Sequence, residues 1–367
     1  MGQATRAFQG WLRGVVGACV LSACGAAPGE DGTVLEAPRV PPGEVAVELS
    51  VPRRSLGAQD EVALQLTFTN VSTHPVRLLR WYVPDAEGVK EGLFDVSRDG
   101  EPVAYLGPHA KRAVPEASDY LVLAPGERLT GRAPLSDLYD LSASGEYTVR
   151  FAAPVEGPHG VALTRVAQLD GAAVSLWIEG RPTRPPDTHT RDTVTAQGLG
   201  YIGCSSTRQA QVQSAWAAAR GYASNAMAYL NGLRAGSERY GTWFGGYSTS
   251  HRDVARGHFS RISSALNTAP IVMDCTCTDA GTFAYVYPSA PYRIYLCGAF
   301  WRAATTGTDS RAGTLIHELS HFNVVADTND HAYGQGNAQS LARSSATRAL
   351  DNADSHEYFA ENTPPRD

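Results

Sequence analysis

Between Glu44 and Pro52, and again between Glu61 and Asn70, apolar residues fall on alternate positions: Val45, Val47 and Leu49, then Val62, Leu64, Leu66 and Phe68. A period of two is that of a strand with one buried face. Val76–Pro84, Leu121–Leu123, Glu146–Phe151 and Ala172–Glu179 continue the pattern, separated by turn signals at Asn70-Val-Ser, Arg98-Asp-Gly and Ala124-Pro-Gly. Many short strands with regular turns predict an all-β, Ig-like antiparallel sandwich over residues 44–180. After residue 198 the period changes. In Ser205–Leu233, Trp216, Ala219, Tyr222, Met227 and Leu230 recur at helical spacing, which predicts a long helix. His251–Leu266, Thr314–Val325, Ala338–Ser344 and Thr347–Glu361 read as further helices, and Thr282–Tyr287 with Tyr292–Cys297 as a hairpin around Pro288. The C-terminal region, 199–367, is therefore expected to be mainly α with a small sheet (α+β). Between the two, residues 181–198 are polar and rich in Pro and Thr with no apolar period, the texture of a linker.

Composition narrows the function classes. The 367 residues are 43% hydrophobic and 19% charged, enough apolar content for two buried cores and too little charge for a disordered chain. A net charge of -6 argues against a nucleic-acid partner. At the N-terminus Arg6 and Arg13 precede an apolar run, Gly14 to Ala23, that is too short to span a membrane and ends in small residues. That is an export signal. Leu21-Ser-Ala-Cys24 has the form of a lipobox, with Cys24 the lipidation site and 25–43 a flexible tether. The expected location is outside the cell, either secreted or as a bacterial cell-surface lipoprotein, with any membrane contact made through the lipid.

Past the signal region four cysteines remain, Cys204, Cys275, Cys277 and Cys297. An even number in an exported chain reads as two disulfides. A bridge between Cys275 and Cys277 would be strained, and the other two pairings stay open. Zinc is a weak rival there, since no Cys-x-x-Cys spacing is present. Of 31 basic residues only two are lysines, Lys90 and Lys111. A genome that favours Arg codons accounts for that without reference to function.

The chemistry concentrates at Gly313-Thr-Leu-Ile-His317-Glu318-Leu-Ser-His321. On a helix, positions i and i+4 share a face. His317 and His321 can hold one metal ion, with Glu318 beside it as general base. A catalytic zinc takes a third protein ligand; Asp327, Asp330, His331 and Glu357 are the downstream candidates. No comparable constellation exists in the β region, where His74, His109 and His159 read as surface or packing residues.

The segment Asp327-Thr-Asn-Asp330-His-Ala-Tyr333-Gly334 following His-Glu-x-x-His resembles the second motif of the aspzincin (deuterolysin) metalloproteases. The resemblance implies a zincin-like catalytic domain with one zinc per chain, Asp330 as its third ligand and Tyr333 as the donor to the oxyanion. Asp327 stands where the family has Gly; if a positive φ is needed there, Asp tolerates it better than most residues. Cys275-Thr-Cys-Thr-Asp-Ala-Gly-Thr-Phe-Ala-Tyr-Val-Tyr-Pro, Tyr295-Leu-Cys-Gly-Ala-Phe-Trp and Asn352-Ala-Asp-Ser-His-Glu-Tyr-Phe-Ala-Glu-Asn are similar to the peptidyl-Lys metalloendopeptidases of that family. This implies disulfides Cys204–Cys275 and Cys277–Cys297. It also implies that Asp354 and Glu357 receive the lysine on the leaving-group side of the cut. On a helix these two share a face. A protease that cuts before lysine spares a lysine-free catalytic half; the linker is lysine-free too, so such an enzyme cannot excise the whole β region by itself.

The expected protein is a secreted zinc metalloendopeptidase acting on proteins or peptides before Lys, a monomer, with 44–180 a propeptide-like region that assists folding or blocks the cleft. Two rivals are a broader deuterolysin-like specificity and an inactive surface-binding lipoprotein that keeps the metal for structure. An intact Glu318 and Tyr333 argue against the second, because a structural site needs neither.

Overall fold

A computed structural model describes residues 44–84, 92–113, 117–136, 138–152, 169–171, 173–182 and 198–367. The export signal, Cys24, Lys90, His159 and most of the linker lie outside the described residues. The N-terminal strands are β1 (Val45–Ser50), β2 (Ser55–Leu56), β3 (Ala63–Asn70), β4 (Val76–Leu79), β5 (Phe94–Arg98) and β6 (Glu101–Pro102). They continue with β7 (His109–Arg112), β8 (Tyr120–Leu123), β9 (Arg128–Pro134), β10 (Gly145–Phe151), β11 (Leu169–Gly171) and β12 (Val174–Ile178).

The alternation read from the sequence is the packing. In β3, Leu64, Leu66 and Phe68 are buried while Gln65 is exposed and Ala63, Thr67 and Thr69 are half-buried. One sheet runs β11-β1-β3-β9 and a second β2-β12-β10-β5-β6, with β4 and β8 paired apart from both. They enclose one apolar core that includes Phe68, Tyr82, Tyr147 and Phe151. Val76–Pro84 is a strand only to Leu79; a 3₁₀ turn, Arg80–Tyr82, follows and buries Tyr82.

The C-terminal region adds β13 (Gly200–Ile202), α1 (Ser206–Gly232), α2 (Glu238–Phe244), α3 (Thr249–Thr268), β14 (Val272–Asp274), β15 (Thr282–Val286) and β16 (Arg293–Leu296). After these come α4 (Gly298–Arg302), α5 (Arg311–His321), α6 (Gly334–Ser344), α7 (Ala346–Leu350) and α8 (Ala353–Glu361). Helix α1 is capped by Ser205, whose side chain accepts from Arg208 N, and buries Val212, Ala215, Ala219, Ala223, Ala226 and Leu230 at three- and four-residue steps. Its alanine face packs on α3 and α5. The disulfides Cys204–Cys275 and Cys277–Cys297 both form, closing separations of 71 and 20 residues. Chain-entropy arguments give about 4 and 3 kcal/mol for loops of those lengths.

Three further features depart from the sequence reading. The helix expected over Thr314–Val325 stops at His321, because the chain must turn back to bring Asp330 under the histidines: Thr328 N donates to Ser320 O, and Asp327 takes φ +54°. The helix expected over Thr347–Glu361 is two, α7 and α8, broken where Asn352 pairs with Asn329. Most consequentially, β7 does not belong to either N-terminal sheet. The C-terminal sheet runs β13-β14-β16-β15-β7, so a strand from the β region forms its edge.

Candidate active site

Helix α5 is buried from Ala312 to His321. Ser310 caps it, accepting from Gly313 N at 2.9 Å, and Glu361 of α8 accepts from Ser310 N and Oγ at 2.9 and 2.7 Å. Gly313 is required there: a Cβ would collide with the Glu361 carboxylate and lie 2.8 Å from Glu357 Oε1. The close approach of α8 is what brings Asp354 and Glu357 alongside His317.

His317 and His321 turn their Nε2 atoms to within 3.1 Å of each other. Asp330 completes a triangle, Oδ1 3.3 Å from His317 Nε2 and Oδ2 3.3 Å from His321 Nε2. Four ligands held tetrahedrally at 2.0–2.1 Å from zinc stand about 3.3 Å apart, so this spacing is that of three ligands around one such ion. The far nitrogens fix the orientation. His321 Nδ1 lies 2.7 Å from Thr328 O, which calls for a proton on Nδ1 and leaves Nε2 for the metal. His317 Nδ1 lies 2.8 Å from Asp354 Oδ1 and 3.5 Å from Glu357 Oε2.

The carrier of Asp330 is the loop after α5. Its Asn329 N donates to Asp351 O at 2.8 Å and its Asn329 O accepts from Ala353 N at 3.0 Å. Asn352 Oδ1 accepts from His331 N and Ala332 N, both at 2.9 Å. His331 itself turns to Asp351, 2.6 Å away, and Asp327 is exposed; neither joins the triangle. Tyr333 is buried and lines one cleft with His109, Ala110 and Asp330.

The electrostatics of the triangle suit a cation. Both carboxylate oxygens of Glu318 and of Asp330 are buried without a hydrogen-bond partner among the described residues. Burial would push His317 down, but the Asp330 carboxylate, with Asp354 and Glu357 behind it, outweighs burial and holds the imidazole well above its usual value. Burial would likewise raise Asp330, and the paired histidines instead hold it well below the carboxylate range. Burial pushes Glu318 up to about 7, against the pull of the two histidines. A carboxyl poised there is fitted to take and return a proton near neutral pH. A divalent ion at the triangle satisfies the orphaned oxygens, and the donor set of two imidazoles and one carboxylate suits zinc.

On the far side of the His317 ring lies a second site. Asp354 and Glu357 are buried, and with Asp309 they surround one ammonium, that of Lys111 on β7. Its Nζ lies 2.7 Å from Glu357 Oε2, 3.1 Å from Asp309 Oδ1 and 3.5 Å from Asp354 Oδ1. The Phe283 and Tyr358 rings flank it at 5.2 and 5.4 Å. Tyr358 donates to Asp309 Oδ1 at 2.6 Å, and Asp309 sits at φ +50°. Burial alone would lower the Lys111 pKa; Asp354 and Glu357 chiefly hold it well above its ordinary value.

Asp309, Tyr358, Lys111 and His109 were not singled out from the sequence as site residues. Reading His109 as a surface or packing residue is corrected: its ring lies 4.7 Å from that of His321, and its Nδ1 is 3.8 Å from Asp330 Oδ2. Nothing local marks it, because its place depends on a strand changing sheets. The rarity of lysine was the one available signal for Lys111.

The family model described as "Lysine-specific metallo-endopeptidase" (aspzincin) matches residues 229–361. An extracellular protease of Aeromonas hydrophila is 44% identical over 315 residues, 84% of this chain and 90% of that one. A peptidyl-Lys metalloendopeptidase of Pleurotus ostreatus is 55% identical over 165 residues, 45% of this chain and 97% of that one. A zinc peptidase from Grifola frondosa, solved as a structure, is 48% identical with a TM-score of 0.44, covering 45% of this chain and 100% of that one. The chain belongs to the aspzincin family of metalloendopeptidases.

Proposed function

We propose that the protein is an exported endopeptidase, with one zinc ion per chain, that cuts proteins on the N-terminal side of lysine. The observation that carries this reading is the pocket of Asp354, Glu357 and Asp309, which closes on a lysine ammonium one imidazole away from the metal triangle. His317, His321 and Asp330 would hold the zinc. When bound, zinc supplies a Lewis acid and brings the pKa of water down to about 7. Glu318 takes the proton of the attacking water and passes it to the leaving amine of the lysine. Tyr333 donates to the oxygen on which negative charge develops, as a phenol can without titrating at neutral pH. The carboxylates position the substrate by its ammonium, and a compact ammonium fits their convergence better than a planar guanidinium. The β region we read as an Ig-like, propeptide-like domain, supported by two sheets around one core. Export is supported by the paired disulfides and by the extracellular naming of the Aeromonas relative.

The test is a digest of a denatured protein containing both Lys and Arg, with and without chelator, read by mass spectrometry of the new N-termini. N-termini beginning with Lys that vanish with chelator are expected. Metal-dependent cleavage without preference for Lys would overturn the pocket assignment.

A further inference from the structure

We propose that Asp279 and Thr282 form a second substrate subsite, one that takes a cationic side chain on the residue directly after the recognised lysine. This rests on the lysine-pocket reading above and extends recognition one residue further into the leaving segment.

Three observations converge. First, β7 pairs antiparallel with β15, Lys111 opposite Ala284 and Arg112 opposite Thr282, and Ala113 N continues the pairing by donating to Gly281 O at 2.9 Å. Pairing on a sheet edge is a general way to hold an extended peptide: main-chain bonds give affinity and side-chain pockets read the sequence. With the Lys111 ammonium among Asp354, Glu357 and Asp309, the next residue in that register is Arg112. Its surroundings on β15 are therefore those of the side chain that follows a bound lysine.

Second, those surroundings suit a cation. Successive side chains on a strand point to opposite faces, so the residue after the lysine meets different groups from the lysine itself. Arg112 is buried, and its guanidinium donates to Thr282 Oγ1 at 3.1 Å and lies 3.9 Å from Asp279 Oδ2. Thr282 Oγ1 in turn donates to Asp279 Oδ2 at 3.0 Å, so one hydroxyl links the cation to the carboxylate. The Trp81 ring covers the guanidinium from the β region, 5.1 Å away. Asp279 and Thr282 belong to the catalytic region and stay with it whichever peptide lies on β15.

Third, the loop that carries Asp279 is braced by contacts of its own. Asp279 Oδ1 accepts from Gly281 N at 2.8 Å, Asp279 O accepts from Gly298 N at 2.7 Å, and Arg302 donates to Ala280 O at 2.7 Å. The Cys277–Cys297 disulfide ties the same loop to the end of β16. A Cβ at Gly298 would lie 2.8 Å from Ala280 Cα and 2.9 Å from Asp279 O, so a glycine is needed for that approach. A carboxylate already held in place gives up little freedom when it binds. The Asp279 side chain keeps 42% of its surface in water, which sets the scale: a partly exposed ion pair discriminates by a few-fold, far less than the enclosed lysine pocket.

The test compares peptides identical except at the residue after lysine, which is arginine, citrulline or glutamate. Citrulline keeps the shape of arginine and lacks its charge. They are assayed on the zinc-loaded full chain bearing Lys111→Ala, as ratios of kcat/KM within one preparation. Arginine should exceed citrulline by about two- to fivefold at low salt, with glutamate below both and the gap narrowing as salt rises. Asp279→Asn should abolish the preference for charge. A lysine-over-norleucine ratio, measured at the preceding position, reports the other pocket separately. Should Lys111→Ala fail to fold, as thermal unfolding would reveal, the wild-type chain supplies the same internal ratios. Equal rates for arginine and citrulline, or a preference that survives Asp279→Asn, would overturn the subsite and leave the lysine pocket intact. A chain indifferent to lysine over norleucine would overturn the pocket reading, and with it the register that defines the subsite. No cleavage of any peptide would overturn both.

Discussion

Strands β3 and β7 come from the same half of the chain and follow opposite rules. In β3 the alternation is clean, with apolar side chains inward and polar ones outward. In β7 three successive residues, Ala110, Lys111 and Arg112, are buried, two of them charged. A strand that covers its own core needs only the hydrophobic period. A strand that docks into another region's cleft is enclosed on both faces, and its polar groups are met by the partner: Lys111 by Asp354, Glu357 and Asp309, and Arg112 by Thr282 Oγ1 at 3.1 Å. The lesson is that a buried charge out of period in a β region marks a docking segment.

Several experiments sharpen the contrast. The largest effect is expected from Glu318→Gln, which removes the proton carrier and leaves the metal triangle whole. The rate constant kcat should fall by about 10²–10⁴-fold with zinc content unchanged by metal analysis. Loss of zinc in that variant would make Glu318 a ligand instead. In the β core, Phe68→Ala deletes a fully buried ring that meets Phe151 at 5.6 Å. It should cost about 3–5 kcal/mol in thermal unfolding without lowering kcat, since nothing in β3 reaches the site. Asp354→Asn should weaken zinc binding about 10–100-fold through His317 and also erode the preference for lysine. A change in only one of the two would separate roles that the geometry joins.

The smallest and most conditional effect is on pH. Glu318, raised to about 7 by burial, works as a base only when ionised, so kcat/KM should fall as pH drops through its value. A bound dication favours the ionised form and moves that acid limb below 7. A pH–rate profile on metal-loaded enzyme should show the limb, and the Glu318→Gln variant should lack it.

The two regions also differ in how far they could be read. Residues at fixed local spacing were legible. His317 and His321 lie four apart on one helix, Asp354 and Glu357 three apart on another, and the alternation of β1 and β3 follows directly from the order of residues. Asp327 stands at φ +54°, a conformation Asp tolerates better than most residues. What escaped depends on contacts distant in sequence. The short strands β13 and β14 lack a period long enough to register, and α8 starts at Ala353 because Asn352 is engaged by a loop some twenty residues earlier. Asp309 joins the lysine pocket through Tyr358, 49 positions away. Lys111 reaches Asp354 across 243 positions, and no local pattern announces that pairing.

The most direct test of the account is a pair of peptides identical except for lysine or norleucine after the scissile bond. They should be cut by the Lys111→Ala chain, whose pocket is open. The two side chains have nearly the same length and differ in the ammonium, so the ratio of kcat/KM isolates what Asp354, Glu357 and Asp309 recognise. Sites with buried polar groups reject an analogue that leaves them unpaired by on the order of 10⁴-fold, and a preference for lysine of that order is the predicted result. Equal rates for the two peptides would contradict it.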